Sequence, residues 1–282
     1  MVLIKKKKAA VIIAAVILIA AAVSAVIIIH HHKIKSEIEQ YLQKSPDLYG
    51  ELCIISDAAE VDNNKHSIAG IKEAVRLGAD FVTLDICFDT DGTPVVCRDF
   101  DDISDSSLSL EEVFKMITED DEYSSVNLNL RLRQLTSLEA LNSLLKKYEV
   151  DSRVIISGID RDRYSLISGD DTSASLFFDY QVKGTAEEAI TEIENLQKDY
   201  NISGVIIDAK SIDAKLTDTL VQSGIPFIVS GADSDIEIYR VLSLGANLIQ
   251  TNSPERLKEI YKDWEDIALS QMEKSIADGL KQ

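Results

Sequence analysis

Beyond residue 50 the hydrophobic and polar positions fall into a repeating order. A short apolar run is followed by a longer stretch whose apolar residues recur three and four apart. Runs such as Val154-Ile155-Ile156 and Gly204-Val205-Ile206-Ile207 are continuously apolar, as parallel strands covered on both faces should be. The order predicts a strand at 52–55, helix 67–78, strand 81–88, strand 94–98, helix 109–119, strand 125–131 and helix 136–148. It continues with strand 153–157, helix 160–168, strand 174–179, helix 184–198, strand 203–208, helix 211–223, strand 226–230, helix 234–244 and a short strand at 247–250. Asp89-Thr90-Asp91-Gly92 between two strands is a hairpin signal. Gly78, Gly224 and Gly245 stand where helices stop. A last helix opens at Ser253-Pro254-Glu255, and Leu257, Ile260, Tyr261, Trp264, Ile267 and Ala268 share one face of it, suited to the outer wall of a barrel. Unbroken alternation of strand and helix predicts an α/β protein with a single (β/α)8 TIM-type barrel at 51–258 and a C-terminal helix extension at 259–282, a candidate surface for a protein partner.

The first fifty residues follow another rule. A lysine-rich segment, 1–8, precedes 21 residues without a charge, 9–29, long enough to span a hydrocarbon core of ~30 Å as a helix. A stalk, 30–50, beginning His30-His31-His32, leads to the barrel. The lysine block before the span outweighs Lys33 and Lys35 after it, so the expectation is a single-pass membrane protein with a cytoplasmic amino terminus and an extracytoplasmic barrel. A cleaved signal peptide ending near Val23-Ser24-Ala25 is the alternative.

Charge narrows the partners. The chain has 29 Lys and Arg against 48 Asp and Glu, and six of those lysines lie in the first 35 residues. The barrel is therefore strongly acidic, which excludes nucleic acid as a partner. Cys53, Cys87 and Cys97 fall in predicted strands without metal spacing and are expected as buried free thiols. Polar groups at the carboxyl ends of apolar strands are where such folds carry chemistry, and Asp85, Arg98 and Asp99 hold those places.

The succession of helix, Gly78-Ala79-Asp80, the strand Phe-Val-Thr-Leu-Asp-Ile, the Asp-Gly turn and the strand Pro94-Val95-Val96 resembles the start of the glycerophosphodiester phosphodiesterase family, barrels of the PLC-like phosphodiesterase type. Ser109-Leu110-Glu111-Glu112-Val113, residues 126–131, residues 224–229 and residues 245–252 extend the resemblance over about 51–258. The resemblance implies two histidines acting as acid and base beside a divalent cation, Ca²⁺ or Mg²⁺, held by carboxylates. Matched to the family's motifs, Ser56 and Arg98 stand at the two histidine positions, and Lys65, Thr83 and Asn129 stand at three glutamates. An arginine does not shuttle protons near neutral pH. Asp85 persists as the remnant of the metal site, and His66 is the single histidine of the barrel. The expectation is a domain without the family's catalytic residues or cofactor, acting in ligand binding or as a scaffold. Two alternatives stay open: an active phosphodiesterase with relocated residues at Asp85, Asp99 and His66, and an envelope-assembly component that works through its stalk and terminal helix.

If the family geometry holds, Lys65, His66, Arg98 and Arg131 meet at one mouth with Asp57, Asp85 and Asp99 nearby, a set suited to a small phosphate-bearing ligand bound without a metal. The plainer alternative is that the acids, including an Asp57–Lys65 pair, neutralise these bases and fill the pocket.

Overall fold

The computed structural model describes residues 2–42, 50–61, 66–104, 106–134, 138–164 and 172–279, and for residues 2–18, 20, 21, 268, 269 and 271–279 it describes the backbone alone. The chain divides into two compact units, Met1–Lys44 and Ser45–Gln282. The first is one helix, α1 (Val2–Leu42), which passes without a break through the boundaries expected at residues 8 and 29. Among the described residues no helix is long and apolar enough to cross a membrane. Most side chains of 9–29, and residues 43–49 of the stalk, lie outside the described residues. Ile19, Val23, Val26, Ile27, Ile28 and Ile29 are each more than half exposed.

In the second unit eight strands close into a parallel barrel. They are β1 (Cys53–Asp57), β2 (Phe81–Phe88), β5 (Asn127–Leu132), β6 (Val154–Ile159), β7 (Ser175–Tyr180), β8 (Gly204–Asp208), β9 (Phe227–Ser230) and β10 (Leu248–Gln250), which returns to β1. β3 (Pro94–Val96) folds back antiparallel onto the end of β2, and β4 (Leu108–Ser109), which the sequence pattern did not predict, pairs with β3. At the hairpin the Asp89 carboxylate accepts from the amides of Asp91 (2.9 Å) and Thr93 (2.8 Å), which fixes the turn the Asp-Gly signal called for.

The helices α2 (Ile68–Arg76), α3 (Leu110–Glu119), α4 (Glu139–Tyr148), α6 (Ala186–Tyr200), α7 (Ala214–Gln222) and α8 (Asp235–Ser243) connect the strands. α5 (Arg161–Tyr164) is a single turn, and residues 165–168 of the helix expected there lie outside the described residues. Ser109, Thr185 and Ser234 each form a reciprocal capping box with the glutamate three residues on. Gly78, Gly224 and Gly245 end their helices in the left-handed region, at φ of 100°, 65° and 82°. α9 (Pro254–Gly279) is the expected last helix, and Leu257, Ile260 and Trp264 of its apolar face are all fully buried. Trp264 lies 5.7 Å, ring to ring, from Tyr239 on α8, so this face is used within the barrel unit.

Inside the barrel Ile55, Ile155, Phe177, Ile206 and Ile228 pack into one apolar layer, with Phe81 and Leu248 against it. Side chains alternate between the two faces of a strand, so residues two further along face inward again, one level higher. Those residues are Asp57, Ser157, Asp179, Asp208, Ser230, Thr83 and Gln250. The barrel is therefore filled with hydrocarbon below and polar at its carboxyl-end mouth.

Candidate functional site at the barrel mouth

β5 supplies the centre of the site. Residues 127–133, Asn-Leu-Asn-Leu-Arg-Leu-Arg, alternate polar and apolar without exception, with Leu128, Leu130 and Leu132 fully buried and Asn129, Arg131 and Arg133 on the opposite face. Parallel pairing with β2 sets Asn129 beside Thr83 and Arg131 beside Asp85. Gly158 lets β6 approach closely at this level. Its φ is 77°, and a Cβ there would lie 2.6 Å from the Leu132 carbonyl oxygen.

Two networks result. The lower one is neutral and buried: the Asn129 amide donates to Thr83 Oγ1 (3.1 Å), and Ser157 Oγ donates to Asn129 Oδ1 (2.7 Å). The upper one is ionic. Arg131 donates through Nε to Asp85 Oδ1 (2.6 Å) and through Nη2 to Asp57 Oδ2 (3.2 Å). Arg133 grips Asp85 with both arms, Nε to Oδ1 at 2.6 Å and Nη2 to Oδ2 at 3.2 Å. Asp85 is only 6% exposed. Burial by itself would raise its pKa, but the hydrogen bonds and charges of the two guanidiniums outweigh that, and its carboxyl is held below the usual aspartate value.

Above these networks opens a cavity of about 930 Å³. Its lining includes Asp57, Arg131, Ser157, Asp179, Asp208 and Asp233. Asp179 has a path to solvent through the cavity, yet the crowded walls desolvate it and push its carboxyl up to about 6 against the pull of Arg131 and Arg163. Asp233 is tied down by Thr251 and by the backbone and side chain of Asn252.

The residues expected to meet here do so only in part. Asp57, Asp85 and Arg131 converge. Lys65 lies outside the described residues. His66 and Arg98 line a separate groove of about 330 Å³ with Asp102, Ser104, Ser106 and Ser107. Arg98 and Asp99 are exposed. His66 is half-buried and its pKa is lowered, chiefly by desolvation, with Arg131 and Arg98 also pressing it down against Asp85 and Asp57. Ser56, matched to the first histidine, is buried, donates to the Asp57 carbonyl at 3.2 Å, and falls on the strand face turned away from the mouth. β1 presents Asp57 instead, since one residue along a strand changes the face. Arg133, Ser157, Asp179 and Asp208 were not anticipated, although the unbroken alternation of 127–133 was the available signal for Arg133. Cys53, Cys87 and Cys97 are free thiols; burial pushes Cys53 and Cys87 up to about 12, which keeps them inert.

The donor set does not suit a divalent cation. Among the described residues no group of three or more His, Cys, Asp or Glu side chains is arranged to hold one. Both Asp85 oxygens face guanidinium donors, and Thr83 and Asn129 are neutral and bonded to each other.

No family model and no curated protein matches the chain. Solved structures do. A Galdieria sulphuraria protein assigned to the glycerophosphodiester phosphodiesterases superposes with a TM-score of 0.62 at 16% identity, over 75% of this chain and 98% of its own. The Thermotoga maritima glycerophosphodiester phosphodiesterase gives 0.56 at 17% identity, over 75% and 99%. The barrel has the fold of a glycerophosphodiester phosphodiesterase. An Oleispira antarctica phosphodiesterase, solved with its product sn-glycerol-3-phosphate, gives 0.58 at 13% identity, over 74% and 96%. The superpositions span 96 to 99% of those chains, and in this barrel the mouth floor is held by arginine–aspartate pairs.

Removing the Asp85 charge should expose how much the floor depends on it. Asp85→Asn leaves Arg131 and Arg133 without their shared counter-ion and is expected to cost about 3 kcal/mol in urea unfolding, the low end for a buried pair because Arg133 is over a third exposed. A folded-state pKa below the unfolded one adds stability above about pH 4 that is lost as pH falls through the folded value. The acid loss of stability should therefore be shallower in Asp85→Asn, by about one proton. A variant as stable as the parent, with an unchanged acid limb, contradicts this.

Proposed function

We propose that this chain is a membrane-anchored barrel of glycerophosphodiester phosphodiesterase fold that binds a small ligand at its mouth, or serves as a scaffold, without hydrolysing a phosphodiester. The observation that carries the reading is the double arginine grip on Asp85. Phosphodiester hydrolysis of the kind the fold's relatives are named for needs a proton donor for the leaving alkoxide and a charge to neutralise the phosphoryl oxygens. Here Asp85 is committed to ion pairs, Asp57 takes the inward place on β1, and Arg98 lies exposed beside a different groove. The barrel's single histidine, His66, leaves no acid–base pair of imidazoles.

The same placement narrows the ligand reading. Of the bases expected to meet a phosphate group, Arg131 lines the cavity, and it arrives already paired to Asp57 and Asp85. A phosphate-bearing ligand would meet a neutral ion-pair floor there, so binding would be modest and independent of metal.

The anchor reading is supported by the 21 uncharged residues within α1, the lysines before them, and the exposed apolar side chains of Ile19, Val23, Val26, Ile27, Ile28 and Ile29. The barrel would then lie outside the cytoplasm.

Full-length protein in detergent should release no glycerol phosphate from glycerophosphodiesters above background with Ca²⁺, Mg²⁺ or Mn²⁺. Turnover that survives purification and vanishes in Asp85→Ala, at a temperature where that variant remains folded by circular dichroism, would contradict the proposal. Protease added to intact cells should digest the barrel and spare the lysine-bearing end; a soluble mature form starting near Val26 would instead mark a cleaved signal peptide.

A further inference from the structure

We infer that Arg131 and Arg133 are resident counter-cations that close Asp85 to divalent metal, so that the floor of this barrel's mouth operates cation-free. The inference does not rest on the absence of turnover, since a cation-free hydrolase would satisfy it equally. Its basis is the geometry of the floor. Asp85 Oδ1 receives two guanidinium nitrogens at 2.6 Å, Oδ2 receives a third at 3.2 Å, and Arg131 extends to Asp57 Oδ2 at 3.2 Å. Two carboxylates and two guanidiniums form an electroneutral set.

A hard cation such as Ca²⁺ requires about six to eight oxygen ligands, carboxylates among them. To take one, this floor would have to release both arginines from Asp85 and one of them from Asp57. The lower network offers only neutral oxygens already in use, because Thr83 Oγ1 accepts from the Asn129 amide and Asn129 Oδ1 accepts from Ser157. Raising the pH cannot open the site either, since a guanidinium keeps its charge at any pH the fold survives. The arrangement is held from outside as well: Arg163 reaches over to the carbonyls of Gly158, Leu132 (3.3 Å) and Arg133 (2.9 Å), which fixes the backbone that aims Arg133.

Thermal unfolding of the full chain in detergent tests this with Ca²⁺, Mg²⁺ or Mn²⁺ at millimolar concentration against a chelator. The parent protein should melt at the same temperature, within about 1 °C, in all conditions. Arg131→Gln with Arg133→Gln frees Asp57 and Asp85, and that double variant should acquire a cation-dependent rise on the order of 5 °C, abolished by adding Asp85→Asn. A parent protein stabilised by a cation and destabilised by the chelator, with the response lost in Asp85→Asn, overturns the inference. So does a double variant that folds and stays indifferent to cations. Should the double variant not fold, titration calorimetry of the parent with Ca²⁺ or Mn²⁺ decides: no saturable heat supports the inference, and saturable heat lost in Asp85→Asn overturns it.

Discussion

A carboxylate at the top of an apolar strand must find positive charge or give up its own. Asp85 stands in that position, inside a strand where Val82, Leu84, Ile86, Cys87 and Phe88 are all buried. Leaving such a charge unpaired costs several kcal/mol. The neighbouring strand answers with two arginines spaced by the two-residue repeat that puts both on the same face. Because Arg131 comes from β5, Arg133 from the residue just past its end and the carboxylate from β2, the ion pairs also pin the register of those strands and gather Asp57 from β1 on the other side. The polar upper layer of the barrel is organised about this contact, and the neutral chain through Thr83, Asn129 and Ser157 beneath it needs no charge of its own.

The likeness to solved phosphodiesterases is a likeness of backbone. At identities of 13 to 17% it concerns how eight strands and their helices are laid out, and chemistry is decided by the side chains that layout brings to the mouth. Here the layout delivers fixed arginine–aspartate charge and amide–hydroxyl bonds at the level where the sequence resemblance places a cation and its carboxylates. A large acid-lined cavity opens above that floor, so what the mouth can do is decided by these side chains.

Most of the architecture was legible in the chain. Continuous apolar runs marked the barrel strands, Asp89–Gly92 marked the hairpin, and glycines after three helices marked their ends, because each signal acts over a few residues. The unforeseen features depend on longer-range partners. β4 has only Leu108 and Ser109 and exists by pairing with β3. Ser56 and Asp57 are adjacent, and only the barrel's inside–outside sense decides which of them reaches the mouth. For α9, by contrast, the apolar face read from the chain is the one that packs, and only the partner of Trp264, Tyr239 on α8, was out of reach. Arg133 could have been found from the alternation through 127–133, whereas the groove that Arg98 shares with His66 is built by the segment after β3, which no local pattern encodes.

The central claim is that arginine, rather than metal, neutralises Asp85, and the most direct measurement is anomalous scattering from crystals grown with Mn²⁺. The account predicts both guanidiniums on the Asp85 carboxylate and no anomalous peak within coordination distance, about 2–2.6 Å, of its oxygens. A peak at that distance, with Arg131 and Arg133 turned away from Asp85, would contradict it.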